Sequence, residues 1–375
     1  MKLTRRDFSR LGSMAALASA LPAAKAQNHS SSQRKFGWCI VGLGRISMGH
    51  FMPGVDVSRT GKLTALVSGH HEKASRQAAM YNLPGGAIYD YTEFDEIARN
   101  PAIDGVYIAL PNSMHAEYTI RAAKAGKHVL CEKPMATSVE DCRKMIEACQ
   151  KHNVRLMIAY RCQYNTLHLK AMHLIRSGQI GKVQGIESAF GFNIQPTFVL
   201  DGVRLPEWRL DRKLSGGGPL LDVGIYALNA SRYLTAEEPV EIRGYSSVID
   251  QDGRFKQIEE NDAWNMRFPS GALSSCSTTY GANGMNFFRV YGSKGTIEMN
   301  PAFSYDGMHL KAQLANGQRI DEPEVRRDPV DFTTQADYFA HCVWNREEPK
   351  TDGQEGLRDM MLMSQIYTSA GMKAL

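Results

Sequence analysis

The chain predicts an α/β protein of two sheets, the first parallel and doubly wound, the second largely antiparallel, and three observations carry that expectation. Short β-rich runs alternate with helical patterns from Phe36 to Ala159, longer strand-like runs follow one another after about residue 165, and a glycine turn joins the first strand to the helix behind it. With 375 residues, 43% of them apolar and 22% charged, the chain has the composition and length for two domains, each with its own core. Disordered and fibrous architectures are thereby excluded.

Residues 1–26 read as an export signal. Thr4-Arg5-Arg6-Asp7-Phe8-Ser9-Arg10 is a paired-arginine start, Leu11 to Ala23 a weakly apolar stretch, and Ala24-Lys25-Ala26 a small-residue exit, the pattern of a cleaved twin-arginine signal. The apolar stretch falls short of the roughly 20 residues of a membrane span. Lys2, Arg5, Arg6, Arg10 and Lys25 against Asp7 give this segment +4 of the chain's formal +5. The remainder is nearly neutral, so the basic balance is no argument for a nucleic-acid partner. Residues 27–34 are a polar, serine-containing lead-in.

The cofactor half is expected over residues 35–160. Its strand-like runs are Phe36 to Val41, Leu63 to Val67, Gly105 to Leu110, His128 to Cys131 and Arg155 to Ala159; its helical patterns are a stretch after Val41, His71 to Tyr81, Met114 to Ala125 and Val139 to His152. That alternation implies right-handed βαβ units. The second half, residues 161–375, is expected to carry strands at Val240 to Ile249, Asp262 to Phe268, Ala272 to Thr279, Asn286 to Tyr291 and Gly295 to Met299. Turns at Pro269-Ser270-Gly271 and Gly292 to Gly295 separate them, and helices at Leu167 to Ser177 and Pro219 to Tyr233 back them. Phe332 to Asn345 and Glu355 to Ala370 close the chain as helices, with no sign of which half they pack on.

The glycine turn is Gly42-Leu43-Gly44-Arg45-Ile46-Ser47. Gly42 permits a tight turn, Gly44 lets the backbone approach a pyrophosphate, and the small Ser47 lets the helix pack close to the strand, which is the Rossmann arrangement for a dinucleotide. An NAD site usually presents an acid at the end of the second strand. Here the chain reads Ser68-Gly69-His70-His71-Glu72-Lys73, with no carboxylate at the strand end, and Ser68, Lys73 and Arg45 can meet a 2′-phosphate; NADP is the expected cofactor. Lys73 as a merely solvated helix residue is the alternative.

Two clusters point to chemistry. Glu132-Lys133-Pro134 follows the run His128 to Cys131 at the carboxyl edge of the parallel sheet, where such folds bind ligands. Gly216-Gly217-Gly218-Pro219 enters a helix on which Asp222 and Tyr226, four apart, share a face. A hydroxyl oxidation needs a base for the proton, and an ammonium such as Lys133 beside Tyr226 is expected to lower the phenol's pKa toward that role. Tyr226 as a plain core aromatic is the alternative. The seven cysteines (Cys39, Cys131, Cys142, Cys149, Cys162, Cys276 and Cys342) form no C-x-x-C pair and are read as small core residues; no metal site is expected.

These motifs, with Leu110-Pro111-Asn112-Ser113, the run Cys131 to Ser138 and Ala159-Tyr160-Arg161-Cys162, resemble the Gfo/Idh/MocA oxidoreductases, and within them the glucose-fructose oxidoreductase branch, from about Phe36 to the last helix. The resemblance implies a Rossmann domain plus a C-terminal α/β domain with an open, mainly antiparallel sheet, and hydride transfer between sugar and nicotinamide. It assigns Lys133 and Tyr226 as the catalytic pair and Asp222 as the substrate-orienting acid, and places Asn112, His115, Arg161, Trp208 and Arg209 near cofactor or sugar, His115 alternatively as a helix cap. That branch carries a proline-rich arm after its signal that clasps the cofactor; here only Gln27 to Arg34 intervene. The expectation is an exported, periplasmic enzyme that oxidises an aldose at C1 and reduces a second sugar, fructose or an aldose, through retained NADP in ping-pong order. Its partners are then small sugars and further copies of itself, as a dimer or tetramer, with no nucleic acid and no membrane beyond the export signal. Rival readings are a dehydrogenase with exchangeable NADP, a nicotinamide-dependent glycosidase and a non-catalytic sugar sensor.

Overall fold

The computed structural model describes residues 34–325 and 329–375. The export signal and residues 27–33 of the lead-in lie outside the described residues.

The first sheet consists of β1 (Phe36–Val41), β2 (Gly61–Val67), β3 (Ile88–Tyr89), β4 (Gly105–Ile108), β5 (His128–Cys131) and β6 (Leu156–Ile158), all parallel, in the order β3-β2-β1-β4-β5-β6. This is the doubly wound Rossmann order. Every residue of β1 is buried, as an unbroken apolar run must be when helices cover both faces of the sheet. The helices are α1 (Met52–Asp56), α2 (His71–Met80), α3 (His115–Lys124) and α4 (Val139–Lys151). The Ser138 hydroxyl starts α4 by accepting from Asp141 N, satisfying one of the orphan N–H groups of a helix's first turn. Between β1 and α1 the chain makes a π-helical turn, Ser47–Phe51, so the helical stretch expected after Val41 is shorter and wider than a regular α-helix.

The second sheet has eight strands: β7 (Val183–Gly191), β10 (Glu241–Ser247), β11 (Asn261–Arg267), β12 (Leu273–Thr279), β13 (Met285–Gly292), β14 (Thr296–Met299), β15 (His309–Gln313) and β16 (Arg319–Pro323), in the order β10-β11-β12-β7-β13-β14-β15-β16. All neighbours are antiparallel except β7 and β12. Burial alternates along β10 and β11, because one face is solvated and the other covered. The cover comes from α5 (Thr166–Arg176) and α7 (Ile225–Thr235): Leu167, Ala171, Leu174, Ala230 and Leu234 pack on Ile186, Phe288, Val290 and Ile297. β8 (Thr197–Leu200) and β9 (Val203–Pro206) form a separate hairpin, followed by α6 (Arg212–Ser215). All seven cysteines are buried.

The two closing helices return to the first sheet. In α8 (Val330–Asn345), Phe332, Ala336, Phe339 and Ala340 join the cluster of Phe36, Trp38, Ile40 and Phe51 under the parallel strands. The Phe339 ring lies 5.6 Å from that of Trp38 and 6.1 Å from that of Phe36. α9 (Gly353–Ser369) packs between α4 and β10, so it touches both sheets. Its Gly356 lets the helix approach β6 closely, since a Cβ there would lie 2.9 Å from Ile158 Cγ1. Phe339→Ala is expected to cost about 3–5 kcal/mol in chemical denaturation, with the two sheets unfolding in one transition.

Candidate functional site

The glycine turn, the carboxyl ends of the parallel strands, the pair Trp208-Arg209 and the side chains of Asp222 and Tyr226 border one cavity of about 570 Å³. Gly42 stands at φ +92°, and a Cβ on it would meet Ala109 O at 2.5 Å, so the turn requires glycine. Its carbonyl accepts from the buried Ser47 hydroxyl at 2.6 Å, which holds the π turn against the strand. At Gly44 a Cβ would meet no atom within 4 Å: it would project into the cavity, where a dinucleotide's pyrophosphate needs the backbone bare. That opening and the backbone of Leu43, Arg45 and Ile46 along the same wall fit such a group.

The residues assigned from the sequence to cofactor contact and catalysis line this cavity, while Ser47 and Gly216 to Pro219 lie behind its wall. At the β2 end are Ser68, Gly69 and Lys73, with His70 beside them. The Ser68 hydroxyl accepts from His70 N at 3.1 Å, and partial burial lowers the pKa of Lys73, with Asp201 opposing the shift. Among the lining residues the only carboxylates are Glu132 and Asp222, and neither is at that end. Arg45 does not wait for a ligand: its guanidinium stacks 4.9 Å from the Phe198 ring and donates to Val199 O at 3.1 Å. The β8–β9 hairpin thus lies against the glycine turn, with Phe198 and Leu200 in the cavity wall and Asp201 at its tip paired to Arg76 of α2.

At the carboxyl ends of β4 and β5, Leu110, Pro111, Asn112, His115 and Glu132 border the same space. Asn112 donates to Ser215 O at 2.8 Å and so ties the first sheet to the Gly216 loop. His115 is buried with Nδ1 2.8 Å from Pro134 O and Nε2 3.0 Å from Leu110 O. It braces two loops rather than capping its helix, and burial lowers its pKa. Glu132 accepts from the Tyr107 hydroxyl at 2.5 Å, while burial raises its pKa.

Lys133, Asp222 and Tyr226 come together as the sequence predicts. Lys133 Nζ donates to Asp222 O at 2.6 Å and to Asp222 Oδ1 at 3.3 Å, and lies 4.7 Å from the centre of the Tyr226 ring. Asp222 Oδ2 accepts from the Tyr280 hydroxyl at 2.8 Å and lies 3.0 Å from Arg209 Nε. Burial would raise this carboxyl, but Arg209, Lys133 and Tyr280 together hold it down at about 2. Arg209 also pairs with Glu207 and stacks on Trp208. Arg161 is buried, bonded to the Phe303 and Ser304 carbonyls, and faces the rings of Tyr226 at 5.4 Å and Tyr305 at 4.4 Å.

Two expectations need correction. Asp222 and Tyr226 are not successive turns of one regular α-helix, because Leu220–Gly224 is a π turn that precedes α7. Nor does Lys133 bring the Tyr226 phenol down: burial pushes it well up, and the cation that most opposes this is Arg161. Lys133 sits against the ring face and gives two of its three donors to Asp222. Residues missed in the sequence include Tyr280, on which no motif falls, and the wall of His50, Tyr305 and Phe332. The His50 and Tyr305 rings stack 4.2 Å apart.

A parallel sheet of this order with a bare glycine turn, opening on a lysine, a carboxylate and a tyrosine, defines a nicotinamide-dinucleotide oxidoreductase scaffold. Residues 36–160 match the oxidoreductase family with NAD-binding Rossmann fold, and residues 168–298 match the GFO/IDH/MocA C-terminal domain. The chain is 33% identical over 348 residues to the D-xylose 1-dehydrogenase [NADP(+)] of Haloarcula marismortui, covering 92% of this chain and 93% of that one. Among solved structures, the aldose-aldose oxidoreductase from Caulobacter crescentus, complexed with glycerol, superposes with a TM-score of 0.84 at 40% identity, over 90% of this chain and 98% of that one. A levoglucosan dehydrogenase in complex with NADH and levoglucosan shares the fold, with a TM-score of 0.76 at 22% identity over 90% of this chain and 97% of that one. The chain belongs to the Gfo/Idh/MocA oxidoreductase family.

Asp222→Asn would leave Lys133 and Arg209 without their shared counter-charge, and is expected to cost about 3–5 kcal/mol at pH 7. A carboxyl held low in the folded state stabilises above its unfolded pKa of about 4 and loses that contribution as pH falls toward 2. The gap between wild type and variant in urea unfolding should therefore shrink between pH 4 and pH 2.

Proposed function

We propose that this chain is a periplasmic NADP-dependent sugar oxidoreductase, which oxidises an aldose at C1 to the lactone and reduces a second sugar, ketose or aldose, with the same bound nucleotide. The observation that carries the reading is the single cavity joining a bare glycine turn, with no acid at the β2 end, to Lys133, Asp222 and Tyr226. The relatives named for NADP-linked xylose oxidation and for aldose-aldose exchange support it.

In this reading Gly42 to Ile46 hold the pyrophosphate, Ser68 and Lys73 meet the 2′-phosphate, and Leu110 to Asn112 with His115 and Glu132 border the nicotinamide end. Bound NADP supplies the hydride acceptor. Asp222, ionised and already balanced by two cations, is an acceptor that orients sugar hydroxyls rather than a base. Lys133, Arg161, Trp208 and Arg209 supply donors and a ring face to the sugar, and the Tyr226 hydroxyl contacts the C1 oxygen. Tyr226→Phe is expected to lower turnover by about 100-fold or more with cofactor binding unchanged.

Two features support retention of the nucleotide. Export by the twin-arginine leader takes a folded enzyme where free NADP is scarce, and the β8–β9 hairpin lies against the glycine turn, over the cofactor that the relatives' arm clasps. The second reading, a dehydrogenase with exchangeable NADP, is favoured by the name of the 33%-identical relative. The deciding measurement is the absorbance and fluorescence of purified, dialysed protein on adding glucose without nucleotide. A reduced-nicotinamide band that forms on glucose and fades on a second sugar supports retention; a band that forms only after NADP is added favours exchange. The double variant Phe198→Ala, Asp201→Asn, which removes the ring under Arg45 and the Arg76 pairing, is expected to shed nucleotide on dialysis where wild type keeps it.

A further inference from the structure

The raised Tyr226 phenol leaves the proposed reaction without a base, because a neutral tyrosine can pass a proton on but cannot keep a second one. Behind Tyr226 lies a second, enclosed cavity of about 10 Å³, room for about one water molecule. Lys133 and Tyr226 line it along with Tyr160 and Asn229. The Tyr160 hydroxyl is buried there and faces the carboxyl of Asp359 on α9.

Asp359 is fully buried. From α7 it meets Arg232 at 2.5 Å and Asn229 at 2.9 Å, from its own helix Glu355 lies alongside, and Tyr160 faces it from beyond β6. Arg232 is shared among Asp359, Glu355 and Glu238, and Arg358 also reaches Glu355 and Glu238. Three acids thus compete for two guanidinium groups, and the most deeply buried of them is pushed up to about 6 by its burial. Glu355 is held low by Arg232 and Arg358 against its own burial.

We propose that one water in the small cavity links Tyr226 to Tyr160, and that the proton taken from the sugar's C1 hydroxyl passes along this line to the Asp359 carboxylate. The inference rests on the sugar oxidoreductase reading above. During oxidation the C1–H electron pair leaves as hydride to the nicotinamide dinucleotide and the O–H bond breaks. Tyr226 takes that proton as its own moves to the water, the water gives one to Tyr160, and Tyr160 gives its own to Asp359. Each hydroxyl ends neutral. Reduction of the second sugar runs the line backwards, so no proton need be exchanged with solvent between the two halves. Tyr160 and Asp359 act through Tyr226 and are positioning residues.

The test is rapid mixing of NADP-loaded protein with D-glucose or D-xylose, following reduced-nicotinamide absorbance from pH 5 to 9. Wild type is expected to be flat above about pH 7 and to fall tenfold per unit below about pH 6. Tyr160→Phe removes only this hydroxyl and keeps the ring that fills its place, so its thermal unfolding and NADP affinity should stay close to wild type, while its oxidation rate drops about 100-fold and loses the acid limb. A Tyr160→Phe profile equal to wild type overturns the relay, as does a wild-type rate still climbing tenfold per unit from pH 7 to 9, which makes free tyrosinate the base. If neither protein reduces NADP with either sugar, the oxidoreductase reading itself fails and the relay falls with it.

Discussion

The contact between Lys133 and Asp222 joins the two halves of the active cavity. Lys133 comes from the end of β5 in the parallel sheet and Asp222 from the π turn before α7, whose helix covers the second sheet. Neither charge tolerates so dry a place alone. Arg209 and Tyr280 complete the shell around the carboxylate, so four chain segments must dock together before the charges are neutralised. The site and the seam between the sheets are therefore one electrostatic unit. A substitution in it reads out both as lost chemistry and as loosened packing.

The parallel sheet was legible because its signals are local. β1 and β5 end where the apolar runs end, and Gly42 takes the positive φ that the tight turn directly after β1 demands. The second sheet was half legible. Its hairpins around Pro269–Gly271 and Gly292–Gly295 announce themselves with turn residues, whereas β7 sits at the sheet's centre yet pairs with β12, more than eighty residues away. Nothing within a short window encodes such a pairing. The short β3 and the strands β15 and β16 were missed because their runs are brief or mixed in polarity.

At the site, residue types and spacing picked out Lys133, Asp222 and Tyr226, but not their electrostatics. The sequence suggests that a lysine near a tyrosine lowers its pKa; the fold puts the ammonium against the ring face and buries the phenol, and burial wins. Arg45 was read only as able to meet a 2′-phosphate, and the fold also sets it against Phe198 and Val199, because the hairpin that meets it is about 150 residues downstream. Local sequence specifies which groups arrive, while long-range topology decides what they face.

The return of α8 to the first sheet bears on the order in which the molecule can be made. Phe36, Trp38 and Phe51 emerge from the ribosome long before the aromatic rings that cover them, Phe332 and Phe339. Until then one face of the nucleotide-binding half stays greasy and unfinished, so the strands made first can settle only once that distant helix has followed them.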